Sequence, residues 1–407
     1  MKVSRSAFGV SVATLALVAS GCVANTPAGG QAIAVTSTDT ACDVARNSTA
    51  SGTVAFDVAN RGTQVSEFYL VGEDGLRIIG EVENIAPGAS RTLTVTVQPG
   101  SYNTLCKPGM IGTGVGKAPF SVTGDRVAIT GEDAAQKQQA VDLYAAFVKD
   151  QVAQLVPATE GFVELYVNGD DDEAKDQFPN VRTYYERIEP VAEALGDLDP
   201  RIDYREVDAK AEGLDWTGFH RIEKDLWEPA QDALNSDGET PAWQDWQPST
   251  PEQREEIGQQ LVDDVTELYN FVHSDEFTTY LADQGVDWLS NGSIALLDEV
   301  ATGKITGEED WWSGTDLWDF AANVEGSKLA FTLVRDFASS KGDAGVQLVE
   351  EIDSGYTALE TELAKFGNLE DGFVFYSELT AEDKRNLTNL INALAEPLSQ
   401  LTGTILT

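Results

Sequence analysis

The stretch Asp215–Pro229, DWTGFHRIEKDLWEP, carries one of only two histidines in a chain of 407 residues. Glu223 follows His220 by three positions, and residues three apart on a helix share a face. An imidazole and a carboxylate one turn apart can hold one ligand between them. The plainer alternative is a surface contact, or a core histidine with its hydrogen-bond partner, because the HxxE pattern is short. The choice rests on whether further carboxylates are placed to join the pair. Upstream, YYERIEP supplies Glu186 and Glu189, again three apart and expected on one helical face. DPRIDYRE supplies Asp203 in a turn between helices. Downstream, GKITGEEDWW supplies Glu308, Glu309 and Asp310 just before a long helix. One imidazole among several carboxylates suits iron, manganese or zinc better than copper(I).

Periodicity divides the chain. From about Ala32 to Gly124, apolar residues alternate with polar ones: Val54, Phe56 and Val58 in TVAFDVAN, and Leu93, Val95 and Val97 in RTLTVTVQPG. This is the pattern of half-buried strands, and several in about 90 residues predict a small sandwich. Beyond Asp133 the period lengthens. Tyr184, Ile188, Val191 and Leu195 line one face of TYYERIEPVAEALG. Leu317, Phe320, Ala321, Val324, Phe331 and Val334 line another in TDLWDFAANVEGSKLAFTLVRDFA. These amphipathic runs predict a helical domain after a boundary near residue 125. The polar, Trp-bearing stretch from Asn235 to Gln253 reads as a long surface loop, and His273 as a surface residue.

The net charge of −41 opposes binding to nucleic acid. Lys2 and Arg5 followed by the apolar run Ala7–Val18 read as an export signal over residues 1–21. ALVASGC resembles a bacterial lipobox, with Ala19 where leucine is usual. It predicts cleavage before Cys22, a lipid on its sulfur, and a flexible tether over residues 22–34. An ordinary secretory cleavage is the alternative. Cys42 and Cys106 then remain, either as a disulfide or as two thiolate ligands.

TGFHRIEKDLW, YYERIEPVAEALGDLDPRIDYRE, GKITGEED and TDLWDFAANVEGS together resemble the imelysin-type helical domain with its GxHxxE motif. VENIAPGASRTLTVTVQPGSY, with Cys106 soon after, resembles the cupredoxin-like module of EfeO-type iron-uptake lipoproteins. The resemblance spans nearly everything from residue 32, and only the 235–253 insert departs noticeably. It implies a multidomain chain: a cupredoxin-like β sandwich over 35–124, then a double four-helix bundle over 125–407 with a metal site in its cleft. It implies His220, Glu223, Glu186, Glu189, Asp203 and Asp310 as ligands. Glu67 and Glu83 with Cys42 and Cys106 are implied as a second iron or copper site, for which a disulfide is the alternative. Blue copper is disfavoured because the small domain has no histidine.

The implied function is an exported, membrane-tethered monomer. It would bind iron as Fe3+ or Fe2+, with zinc or copper as other candidate ions, and deliver it to a membrane iron permease alongside a haem peroxidase. The competing readings are a zinc-dependent metallopeptidase and a lipoprotein that holds uronate polysaccharides. HExxH chemistry needs a second histidine that this motif lacks.

Overall fold

The computed structural model describes residues 32–128, 134–193 and 196–406; the export signal, Cys22 and most of the tether lie outside the described residues. Nine strands form the first part: β1 Ile33–Thr38, β2 Ala41–Val44, β3 Ser48–Ala50, β4 Gly52–Asn60, β5 Ser66–Gly72, β6 Ile78–Ile85, β7 Ser90–Val97, β8 Gly100–Cys106 and β9 Val115–Thr123. They make two sheets, in the orders β2-β1-β4-β7 and β3-β9-β8-β5-β6. Strand alternation sends Phe56, Val58, Leu93 and Val95 of one sheet and Phe68, Leu70 and Phe120 of the other into a common core. The Phe56 ring lies 5.1 Å from Phe68 and 5.5 Å from Phe120. Cys42 on β2 and Cys106 on β8 are joined in a disulfide across the two sheets, with Cα atoms 5.4 Å apart.

The helices are α1 Ala134–Asn168, α2 Asp171–Glu186, α3 Glu189–Glu193, α4 Leu198–Ile202, α5 Glu206–Glu212, α6 Gly218–Leu226, α7 Pro251–Val272, α8 Asp275–Gln284, α9 Val286–Glu299, α10 Asp316–Ser339, α11 Asp343–Leu363, α12 Ala381–Leu398 and α13 Leu401–Leu406. α1 packs along α2 and α7, and α10 along α9, α11 and α2, so the α2–α10 contact joins the two groups. One apolar core runs through both.

α9 also lies against β6 and β7, edge strands of the two sheets. An exposed edge offers unpaired backbone groups, and here a helix covers it. Asp287 accepts from the Thr96 amide at 2.5 Å, Asn291 donates to the Thr94 carbonyl at 2.9 Å, and Arg91 pairs with Asp298 at 2.7 Å.

Two expectations are corrected. TYYERIEPVAEALG is not one helix: α2 stops at Glu186 and α3 starts at Glu189. Pro190 has no N–H to return to the Glu186 carbonyl four residues earlier, and its ring would clash with that carbonyl, so α2 cannot continue through it. The 235–253 insert is not only surface. Asn235, Ala242 and Trp246 are buried. Lys224 donates to Asn235 at 3.0 Å and lies 5.1 Å from the centre of the Trp246 ring, so the insert folds back over a buried ammonium.

Candidate metal centre

The glycine of the GFH turn sets the site. Gly218 opens α6 at φ 83°, and a Cβ there would overlap the Ile202 carbonyl. Only glycine takes that conformation without penalty. The close approach, together with a 2.8 Å bond from Thr217 Oγ1 to the Arg201 carbonyl, pins α6 against the end of α4. Asp203 caps that end. Gly218→Ala is therefore expected to lower stability by about 2 kcal/mol or more. It should weaken metal binding by roughly ten-fold. Thermal unfolding and metal titration of the variant check both.

His220 and Glu223 do share a helical face, with Nδ1 3.1 Å from Glu223 Oε2. The other Glu223 oxygen accepts the Trp312 and Ser313 amides at 3.0 and 2.8 Å, which fixes the carboxylate toward the imidazole. Nε2 of His220 lies 3.3 Å from Glu309 Oε1 and 3.6 Å from Asp203 Oδ1, and Nδ1 lies 3.8 Å from Asp310 Oδ1. Two sets of donor atoms thus come within 4.8 Å of one another: Asp203, His220 and Glu309; and His220, Glu223 and Asp310. All five residues are buried. Asp310 Oδ1 is buried without a hydrogen bond, while Asp310 Oδ2 accepts from Thr315.

Glu186 and Glu189 are placed differently from the expectation. They come together behind this group, held by cationic and amide partners rather than by the histidine. Asn323 Nδ2 donates to both at 3.1 Å. Lys304 Nζ lies 3.5 Å from Glu186 Oε2 and 3.4 Å from Glu189 Oε1. Lys304 ends a π-helical turn, Val300–Lys304, a backbone irregularity that is frequent at functional sites.

Arg182, fully buried on α2, reaches Glu186, Asp203, Glu309, Asp310 and Asp319. Sequence reasoning did not select Arg182, Lys304 or Asn323, and named Glu309 only beside Asp310. Arg182 stands one helical turn before Glu186. Asp316, Asp319 and Asn323 form a polar stripe at helical spacing through the apolar α10. Both signals were present in the chain.

The proposed second site does not assemble from its four residues. Phe68 pairs in register with Cys106, and both face the sandwich core. Glu67 is the strand neighbour of Phe68, so alternation turns it to the opposite face. Glu67 and Glu83 line a cleft against Glu189, Glu299 and Glu309 of the helical part, and the sulfurs are bonded to each other.

Around His220, eight buried carboxyls (Glu186, Glu189, Asp203, Glu223, Glu309, Asp310, Asp316 and Asp319) meet the buried cationic side chains Arg182, Lys304 and His220, and the Arg205 charge acts on Glu309 beside them. The charges do not balance, and the protonation states reflect it. Burial pushes Glu186 up to about 7 against the opposing pull of Lys304 and Arg182. Burial likewise pushes Asp310 up to about 6. Burial and the Arg182 charge press His220 downward, but its bonds to Glu223 and Glu309 and the Asp203 charge prevail and raise it to about 10. At neutral pH the imidazole is thus a cation that donates to both glutamates. Lys304 and His220 hold Glu309 well below the usual carboxylate range despite its burial.

These shifts fix a sign. Glu67, Glu186 and Asp199, raised by burial to about 7, and Glu81, raised to about 8, bind more protons folded than unfolded. Their stabilisation is complete below about pH 4 and is lost as pH rises through 7 to 8; the raised His220 contributes in the same direction up to about 10. The metal-free protein is expected to lose roughly 5 °C or more in melting temperature between pH 5.5 and 8. A scan across that range checks it, and a flat or rising profile contradicts it.

The imelysin family model (Peptidase_M75) matches residues 140–401. The chain is 35% identical over 409 residues, 98% of each protein, to the iron uptake system component EfeO of Escherichia coli strain K12. It has the same identity and coverage with EfeO of Shigella sonnei strain Ss046. The chain is an EfeO-type member of the imelysin family. The buried histidine–carboxylate centre of this imelysin domain lies wholly within the matched residues. The β sandwich precedes them. Among the described residues, no helix of this EfeO-type chain is long and apolar enough to cross a membrane.

Proposed function

We propose that this protein is an iron-binding component of an uptake system, which captures iron outside the cell membrane and passes it to a permease. The observation that carries the reading is the convergence of His220 with Glu223, Asp203, Glu309 and Asp310 in a centre with more buried negative charge than its own cations offset. Carboxylate oxygens with one imidazole nitrogen suit iron, and an arriving cation relieves the repulsion among the carboxyls. The relatives' name, iron uptake system component, points the same way.

The finer features belong to the same proposal. The helical part is read as two facing four-helix bundles and the sandwich as cupredoxin-like, with domain limits at 35–124 and 125–407. Cys22 is read as a lipid anchor, and a haem peroxidase as a further component of the system. A disulfide suits an oxidising compartment outside the cytosol. Binding is favoured over peptidase chemistry. The chain's other histidine, His273, is exposed and stacked on Tyr269, and both Glu223 oxygens are engaged as acceptors. No HExxH pair is available to hold zinc around a free base.

Titration of the wild-type protein with Fe3+ and Fe2+ tests the reading. Binding is expected to release protons, since His220 must lose one to become a ligand and the raised carboxyls lose theirs. Affinity should therefore climb from pH 5 to pH 8. Absence of iron binding, or zinc-dependent peptide hydrolysis, would overturn it.

A further inference from the structure

Arg182 and His220 address the same three oxygens. Asp203 Oδ1 lies against Arg182 Nη1 and is 3.6 Å from His220 Nε2. Glu309 Oε1 is 3.5 Å from Arg182 Nη2 and 3.3 Å from His220 Nε2. Asp310 Oδ1 is 3.4 Å from Arg182 Nε and 3.8 Å from His220 Nδ1. Asp203 and Glu309 belong to one candidate donor set and Asp310 to the other, with His220 common to both. An ion held by His220 and these oxygens would therefore sit beside the guanidinium and compete with it for acceptors. Arg182 also has partners that the histidine does not touch: Glu186 at 2.5 Å and Asp319 at 3.2 Å. Phe178 and Phe219 place their ring centres 5.8 Å from the guanidinium carbon, an apolar setting in which a lone charge would be costly.

We propose that Arg182 is the built-in counter-cation of the centre: it holds the ligand carboxylates in place without an ion, yields Asp203, Glu309 and Asp310 when an ion arrives, and keeps Glu186 and Asp319. The inference rests on the metal-binding reading above and adds a release function to it. A carboxylate set of this charge, left to itself, would hold a trivalent ion too firmly for a carrier. A fixed positive charge at the same oxygens weakens the bound state and is ready to reclaim them as the ion leaves. Because the repulsion is between charges, its effect scales with the charge of the ion. Arg182 thus tempers the preference for trivalent over divalent ions. A guanidinium suits this role because it stays protonated at any working pH and can bridge several carboxylates at once.

The test is Arg182→Gln, measured with Fe3+ supplied as its nitrilotriacetate complex and with Mn2+ as a divalent probe. Fe3+ affinity is expected to rise by roughly ten-fold or more, with slower dissociation, and Mn2+ affinity to rise less. The ion-free variant should melt at a lower temperature, while the gain in melting temperature on adding Fe3+ should be larger than in the wild type. A purely structural arginine predicts the opposite: ligands splay, and both ions bind more weakly. Weakened, unchanged or charge-independent binding would refute the inference. Should the variant not fold, a crystal of the wild type soaked with Ga3+ decides. The guanidinium separated from Asp203 and Asp310 supports the role, and all five contacts kept would refute it. If the wild type binds no ion at all, the metal-binding reading itself is wrong, an outcome distinct from any difference between the two proteins.

Discussion

Replacing His220 by alanine is expected to weaken iron binding by about 100-fold or more while leaving helicity unchanged. Loss of a partner that merely orients a ligand costs 10- to 100-fold, and His220 is the nitrogen donor common to both candidate sets. Glu223→Ala should approach the same loss. Its carboxylate is fixed by two backbone amides and is already aimed at the imidazole, so no neighbour can readily replace it. The control is Glu255→Ala, on an exposed turn of α7, which should change nothing. Calorimetry at constant pH measures the affinities, and far-ultraviolet circular dichroism verifies the fold. Unchanged iron affinity in the His220→Ala protein would return this histidine to the role of a buried structural side chain.

Removing the disulfide, by Cys42→Ala with Cys106→Ala, is expected to destabilise the β sandwich by about 4 kcal/mol. The cysteines are 64 positions apart, and cross-linking a loop of that size removes entropy from the unfolded chain to about that extent. Both residues are buried in the sandwich core, so alanine adds a packing loss in the same direction. Denaturant unfolding of the double variant gives the number. Alkylation without reductant, followed by mass spectrometry, checks that Cys42 and Cys106 of the wild type are not labelled. A loss below about 1 kcal/mol, or label on Cys42 and Cys106, would show that the sulfurs do not staple the sheets in solution.

Strands and helices were separable along the chain because alternation and helical spacing are local properties. Val54, Phe56 and Val58 announce a strand whatever lies across from them, and the apolar face of α10 announces a helix. The pairing of His220 with Glu223 was legible for the same reason, since three positions on a helix fix the geometry. Asp203 and Asp310 were visible as candidate carboxylates, but their assignment to one site with His220 came through resemblance, because nothing local says that a turn at 203 meets a turn at 310.

Elsewhere a long-range contact or a backbone break set what the chain's spacing leaves open. Glu186 and Glu189 look like a second pair on one helix. Pro190 ends that regularity, and Lys304, 115 positions beyond Glu189, lies within 3.5 Å of both carboxylates. Glu67 and Glu83 look like companions of Cys106 until the register of β5 on β8 turns the glutamates out and the sulfur in. Arg182 reads as an ordinary helical arginine and is instead wholly buried among five carboxylates from four separate segments.

By itself, then, the sequence determined the order and kind of the elements, the family, and the one locally encoded pair, His220 with Glu223. Only the tertiary structure decided which carboxylates meet that histidine and which are held by Arg182 and Lys304. The physical reason is that spacing constrains neighbours within about one helical turn, whereas the balance of buried charge depends on groups more than a hundred residues apart being brought within a few ångströms.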